Sequence, residues 1–472
     1  MVDKIEAFLN QFEQCPAIIT SRPAGYKRDF FRTDEYPHYE LQLFDDTKID
    51  TFIEHWYNSR FELESERERR KTSLRKALKD QTRIRQLARN PLLLTIIALI
   101  HRYQAQLPKE RHKLYDKAVE TLLTTWDSQK ELSNHEVLEY LELDDLRRLM
   151  ERLAYWIHCQ GGTGDTEGGT LIDREELIGQ LTQYIREMKR VERYQAKKEA
   201  ERFLEQIVRD RAGLLSLQGQ DRYAFVHKTF QEYLTAMEIR YRQEEGFEVV
   251  LKHIDKHLHD PHWEEVLLLL IAQQKLSNPA KILRAVLARD TPYEQWLHRN
   301  LFFAGKVLGE SVPITDEKLV DSILSQLLDL EDASYLSPLV TQKLCDRVFL
   351  IVSNLYETAF EKAALVQLEG RKSHLDHWRF FQYKSELSQQ QTEIDILKLL
   401  KDQNSGVRSS AAQVLGQLGQ GSNVVIDSLL SLLKDEDLNV RSSAAQALGQ
   451  LGQDSNAVID GLLPTFRRLP KS

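Results

Sequence analysis

Over most of this chain apolar residues recur at three- and four-residue steps, the spacing of amphipathic helices. Arg111 to Trp126 is the clearest case, with Leu114, Tyr115, Ala118, Val119, Leu122 and Leu123 on one face, and Leu146 to His158 repeats it. Ile5 to Phe12 reads as a short helix. Asp45 or Asp46 can cap another that carries Ile49, Phe52, Ile53, Trp56 and Tyr57. Within Ile84–Tyr103 the run Asn90-Pro91-Leu92-Leu93-Leu94 places a proline where it suits the first turn of a new helix. Strand patterns are few. Ala17 to Thr20 is an apolar strand that breaks at Thr20-Ser21-Arg22-Pro23, and Tyr39 to Leu43 alternates as a second.

A different order follows residue 160. A glycine-rich loop from Gly161 leads to a strand Thr170–Ile172, then a helix Asp173–Met188 and another from Glu192 to Asp210. A hairpin closes the segment, with Gly213–Leu217, the turn Gln218–Asp221 and Arg222–His227. That succession describes a winged helix.

The last eighty or so residues repeat themselves. Leu399-Leu400-Lys401-Asp402 returns as Leu432-Leu433-Lys434-Asp435, and Val407-Arg408-Ser409-Ser410-Ala411-Ala412-Gln413 returns as Val440-Arg441-Ser442-Ser443-Ala444-Ala445-Gln446. The offset is 432 − 399 = 33 residues. Helical spacing within each copy predicts a solenoid of HEAT-like helix pairs, whose units bury their faces only by stacking. Small alanines predict close helix packing, Gly416 and Gly419 the end of the second helix. Asp402 or Asp435 with Arg408 or Arg441 predicts an ion-pair ladder between units.

Composition narrows the function classes. A formal net charge of −8 argues against a dedicated nucleic-acid binder. The basic stretch Arg67–Arg89 reads as a solvated helix face. Cys15, Cys159 and Cys345 lie far apart, matching no metal spacing and no disulfide framework, which fits a reducing, cytoplasmic setting. The longest apolar run, Pro91–Ile100, is too short to span a bilayer. No Ser-His-Asp, Cys-His or metal-ligand spacing stands out, and His112, His253, His257 and His259 read as helix-surface residues. The catalytic and metal sets are therefore empty.

Together these segments resemble the NACHT branch of the STAND signalling NTPases, particularly bacterial members. The matching residues are Ile18-Ile19-Thr20-Ser21-Arg22-Pro23, Leu87-Ala88-Arg89-Asn90-Pro91-Leu92-Leu93-Leu94-Thr95, Leu107-Pro108 with Leu114-Tyr115, and Trp126-Asp127. Arg211-Ala212-Gly213-Leu214-Leu215, Phe225-Val226-His227-Lys228-Thr229-Phe230-Gln231-Glu232-Tyr233-Leu234 and Asp260-Pro261-His262-Trp263 continue the series. The resemblance implies a nucleotide-controlled switch, with ATP or ADP held between a P-loop core, a helical domain and a winged helix. It further implies repeats that sense a protein trigger, oligomerisation, and a role in defence or cell death. Arg22 resembles the sensor-1 arginine that reads the terminal phosphate. Pro91 resembles the proline packed on the adenine, and His227 the winged-helix histidine that touches the inner phosphate of a bound diphosphate.

Against that pattern, the chain holds no Gly-x-x-x-x-Gly-Lys-Ser/Thr loop and no acidic strand end ahead of Arg22. We therefore expect a chain that begins partway through a phosphate-binding core, is not catalytic alone and holds no nucleotide without its missing NACHT half. The expected fold is mostly α. It runs as a remnant of a P-loop α/β core (1–58), a helical domain (59–143), a winged helix (144–236), a helical region (237–390) and HEAT-like repeats (391–472). An independent HEAT-repeat scaffold with vestigial nucleotide residues is the competing reading. A DNA-reading winged helix is disfavoured, because its helix begins with the acidic Asp173-Arg174-Glu175-Glu176.

Overall fold

A computed structural model describes residues 2–12, 17–19, 37–39, 42–79, 81–103, 107–108, 110–124, 138–160, 171–205, 214–217, 222–275, 277–332, 338–371, 377–387, 396–418 and 423–451. It divides into two compact units, Met1–Gln273 and Gln274–Ser472.

The first unit opens with helix α1 (Val2–Gln11). The strands expected near it do not form among the described residues. Ala17–Ile19 and residues 37–39 and 42–45 have no regular structure, and Ile18 and Tyr39 are 94% and 90% exposed. An apolar pattern makes a strand only where a neighbouring strand completes its ladder, and the described sheet lies elsewhere. Helix α2 (Asp46–Asn58) begins as its cap predicts, with the Asp45 carboxylate accepting from Lys48 N–H at 2.8 Å. Its buried face is Ile49, Ile53 and Tyr57. Helix α3 (Glu64–Lys79) carries the basic stretch, and neighbouring acids neutralise it. Lys71 pairs with Glu54 at 2.5 Å and Glu68 at 2.7 Å, and Arg75 with Asp50 at 2.6 Å and Glu54 at 2.5 Å. Those partners hold the Glu54 carboxyl down to about 2. The solvated-face reading holds only in part: Lys71 is buried, and much of the counter-charge comes from α2.

Helices α4 (Thr82–Ala88) and α5 (Pro91–Tyr103) are separated at Asn90, as the proline requires. The Asn90 side-chain oxygen accepts from Leu93 N–H at 3.2 Å and so caps α5. Helices α6 (Arg111–Thr124) and α7 (Leu143–Gln160) follow. Then comes the winged helix: β1 (Ile172–Asp173), α8 (Arg174–Lys189), α9 (Arg193–Phe203), β2 (Leu215–Leu217) and β3 (Arg222–Phe225). The sheet order is β1-β3-β2, all antiparallel, with Ile172 opposite Tyr223 and Leu215 opposite Phe225. Asp173 ends β1 and caps α8 by accepting from Glu175 N–H at 3.0 Å.

Helix α10 (Lys228–Arg242) follows the hairpin and is buried on nearly every side, at Phe230, Gln231, Glu232, Tyr233, Leu234, Thr235, Ala236, Glu238 and Ile239. It packs against α6, α7 and α12 (Glu264–Ala272), while α11 (Glu248–His257) covers its far end. The charges it buries are matched. Arg148 reaches Glu238 at 2.7 Å and also Glu151, and Arg242 reaches Glu238 at 2.8 Å. Arg147 reaches Asp116 at 2.6 Å, and Tyr233 donates to the same carboxylate at 2.9 Å. The network joins α6, α7 and α10.

The regular elements described in the second unit are helices, among them α13 (Asn278–Leu287), α14 (Glu294–Leu297), α15 (Arg299–Gly309), α16 (Glu317–Asp329), α17 (Pro338–Ser353), α18 (Glu361–Gly370) and α19 (His377–Leu387). The repeats give α20 (Ser405–Leu418), α21 (Asn423–Leu432) and α22 (Leu438–Leu451). The equivalent helices α20 and α22 pack directly on each other, with Ala411, Ala412, Ala444 and Ala447 buried. One rung of the ladder is present among the described residues: Arg408 grips Asp435 through two contacts of 2.8 Å and donates to the Asp402 carbonyl at 2.8 Å. Arg441 repeats the backbone half on the Asp435 carbonyl at 2.7 Å. One expectation is corrected. Gly416 does not end its helix; it sits inside α20, where an added Cβ would lie 2.6 Å from the Ala447 Cα. Its missing side chain permits the approach. Gly419 lies outside the described residues.

Candidate functional site

Of the three residues expected to face a nucleotide, Arg22 lies outside the described residues. Pro91 is the exposed first residue of α5. His227 leaves β3 in extended conformation and caps α10. A cap needs that backbone shape and a side-chain acceptor for an orphan N–H. The imidazole supplies it, for Nδ1 accepts from Thr229 N–H at 3.3 Å and lies 2.8 Å from the Thr229 hydroxyl. The opposite nitrogen, Nε2, lies 3.1 Å from Asn90 Nδ2. The Asn90–Pro91 turn and His227, 137 residues apart, thus meet where two helices begin. Helix N-termini carry partial positive charge and favour anions.

Beneath His227 the wall is aromatic. Tyr115 is 1% exposed, and burial pushes its phenol up. Phe230 and Tyr233 pack on it, with ring centroids 6.2 and 5.9 Å away. One turn along α10, burial and the nearby Glu265 push the Glu232 carboxyl up to about 7. Lys228 contacts Glu232 at 3.4 Å, and Arg111 holds Glu265 at 3.0 Å.

A second cluster escaped the sequence reading. His253 and His257 do not simply decorate a surface. His253 Nε2 lies 3.0 Å from the Tyr155 hydroxyl, and His257 stacks on Trp263 at 4.0 Å. His158 is fully buried and stacks on His262 at 3.9 Å. Burial and that neighbour push its imidazole down to about 3. One signal was present: His158 continues the Met150–Ala154 row on the apolar face of α7. Among the described residues no group of three or more His, Cys, Asp or Glu could hold a metal ion. The rings of this cluster pack on one another and on Trp263.

The geometry defines a winged helix joined to a helical segment, and a helical repeat array in the other unit. Comparison with known families agrees. Residues 111–239 match the winged helix-turn-helix domain C-terminal to NACHT, and residues 390–468 match HEAT repeats. The chain carries a NACHT-associated winged-helix domain and HEAT repeats. No curated protein matches it significantly. Among solved structures, the karyopherin Kap121p bound to the extreme C-terminus of the protein phosphatase Cdc14p is 15% identical, with a TM-score of 0.28 over 79% of this chain and 47% of that one. Kap121p bound to Ste12p gives 15% identity and a TM-score of 0.26 over 83% and 45%. The chain spans about half the length of these structures, and superpositions this loose carry no argument. Among the described residues no helix is long and apolar enough to cross a membrane.

Proposed function

We propose that the chain is the regulatory and sensing part of a NACHT-type switch. In this reading His227 and the Asn90–Pro91 turn face the phosphate of an adenine nucleotide, and the HEAT repeats take a protein trigger. The five segments set out from the sequence are its working parts. One observation carries it: His227 Nε2 and Asn90 Nδ2, 3.1 Å apart, at the starts of α5 and α10. A phosphate there would be met by polar groups and by two helix termini. The fit is partial, since the chain's sequence holds no P-loop lysine to cradle further phosphates. The nucleotide, when bound, supplies the switching charge; the chain's own residues hold two helix starts around it.

The test is nucleotide retention. Alone, the purified chain should show no ATPase above background and no co-purified ADP. Supplied with a P-loop-bearing NACHT segment in trans, it should retain ADP, and His227→Ala should lower retention by about tenfold, the worth of one hydrogen bond to a charged group. Equal retention by wild type and variant overturns the role of His227. A second reading, an independent protein-binding scaffold, draws on the exposed Val424 and Leu438 of the repeats, 61% and 69% accessible. No retention under any condition, with a partner captured by the repeats, would favour it.

A further inference from the structure

We propose that the outer face of α22 is a docking site for a repeat-type helix supplied by another protein, one that brings an aspartate ahead of a Ser-x-x-x-Ala row. The proposal rests on the reading of the repeats as the trigger-binding part and deepens it, naming the face and the chemistry it accepts.

Within the array one such docking is already made. The Ser409 hydroxyl of α20 lies 2.8 Å from that of Ser443 on α22, and the Gln413 amide donates to the same Ser443 hydroxyl at 3.0 Å. The bare Gly416 lies against Ala447. Arg408 adds charge, for its Nε and Nη2 each stand 2.8 Å from the Asp435 carboxylate while Nη1 holds the Asp402 carbonyl. The receiving side therefore offers three features: Asp435, Ser443 eight residues on, and Ala447 one turn beyond.

At the 33-residue offset the donating side recurs unchanged on α22, as Arg441, Ser442, Gln446 and Gly449. There it is open. Ser442, Ala445, Gln446 and Gly449 are exposed, and a Cβ added at Gly449 would meet nothing within 4 Å. Arg441 keeps the inner half of the role, with Nη1 donating to the Asp435 and Glu436 carbonyls at 2.7 and 2.9 Å. Its Nε and Nη2, the pair with which Arg408 holds a carboxylate, have no partner among the described residues. A guanidinium fixed by one arm presents the other two donors as a fork that fits a carboxylate. Small side chains beside it let a second backbone come close. Many helices could lie on the small residues; the fork selects one with an acid in register. The chain's own sequence does not supply that acid, because the residue 33 beyond Asp435 is Arg468, a like charge. Its single Asp-x7-Ser-x3-Ala pattern, Asp435 to Ala447, is already taken by α20. A second copy of the chain would have to unseat its own helix to dock, so the occupant is a different protein.

The probe is a fluorescent peptide of residues 419–451, one unit carrying Asp435, Ser443 and Ala447, titrated into the full chain. Anisotropy should show saturable binding. In the chain, Gly449→Leu should abolish it, since the new side chain fills the seat and touches nothing else. In the peptide, Asp435→Asn should weaken binding about tenfold, the worth of a charged hydrogen bond. A full chain with residues 419–451 duplicated after Leu451 removes the cost of ordering a free peptide. Its repeats should melt later, and Gly449→Leu should cancel the gain. The proposal falls if neither binding nor the gain is seen, if either survives Gly449→Leu, or if the Asn peptide binds as well as wild type. Self-association of the full chain that Gly449→Leu abolishes would put a second copy on the face and overturn the partner named. No nucleotide enters these measurements. Loss of ADP retention therefore strikes the nucleotide reading alone, and loss of Gly449-dependent binding strikes this face alone.

Discussion

The winged-helix region and the repeats both press one helix closely on another, with opposite materials. Where α10 meets α7, the contact holds Glu238, Glu151, Arg147 and Arg148, with Glu238 and Glu151 each 3% exposed. Where α20 meets α22, it holds alanines, Gly416 and a Ser409–Ser443 hydroxyl pair at 2.8 Å. Buried charges tolerate one arrangement, because any slip strands an ion away from water. Small side chains instead specify a distance, and a distance can be repeated. The first contact suits a part that must dock in one pose, the second a part built by stacking.

Four substitutions or titrations sharpen that contrast. The largest effect is expected from Glu238→Ala, which leaves Arg148 and Arg242 short of a buried partner; urea unfolding should report a loss of about 3 kcal/mol. An unchanged midpoint would mean that the network contributes nothing. Gly416→Ala should follow at about 2 kcal/mol through overpacking against the Ala447 backbone, seen as early melting of the repeats.

Third is a pH effect confined to the first unit. His158 is buried neutral, so below its ordinary 6.5 the unfolded chain binds more protons and stability falls with pH toward about 3. Glu232 acts in the opposite sense. Its carboxyl is raised to about 7, so stability is full below the ordinary 4.5 and is lost as pH rises through 7. Between 4.5 and 6.5 the two slopes oppose each other. Glu232→Gln should therefore steepen the acid loss of stability by up to about 1.4 kcal/mol per pH unit, and a profile parallel to wild type would refute the assignment. The smallest effect belongs to Arg408→Lys, which gives up the paired contact with Asp435. Melting of the repeats should move slightly earlier, and the shift should shrink in high salt.

How much of this the sequence discloses depends on whether a feature is local. The winged helix is read from its own residues, since a strand, two helices and a hairpin follow one another in order, and the break at Asn90-Pro91 needs only proline chemistry. The Arg408–Asp435 contact is readable because the copies repeat it. Ala17–Ile19 misleads because a strand's partner is not written within it. Gly416 resembles a helix stop until Ala447 is placed opposite, and His253 and His257 resemble surface residues until Tyr155 and Trp263 arrive from distant parts of the chain. At the candidate site, His227 and Pro91 stand out by resemblance, whereas Asn90 and Thr229 acquire roles only when two helix starts are brought together.

The arginine that reaches back six residues to a carbonyl and forward twenty-seven to a carboxylate makes the joint between copies self-templating. Each module carries both halves of the fastening, so whole blocks of 33 could be gained or lost by recombination with every new seam already matched. Length, and with it the reach of the array, then becomes a trait that a lineage can tune without redesigning a single interface.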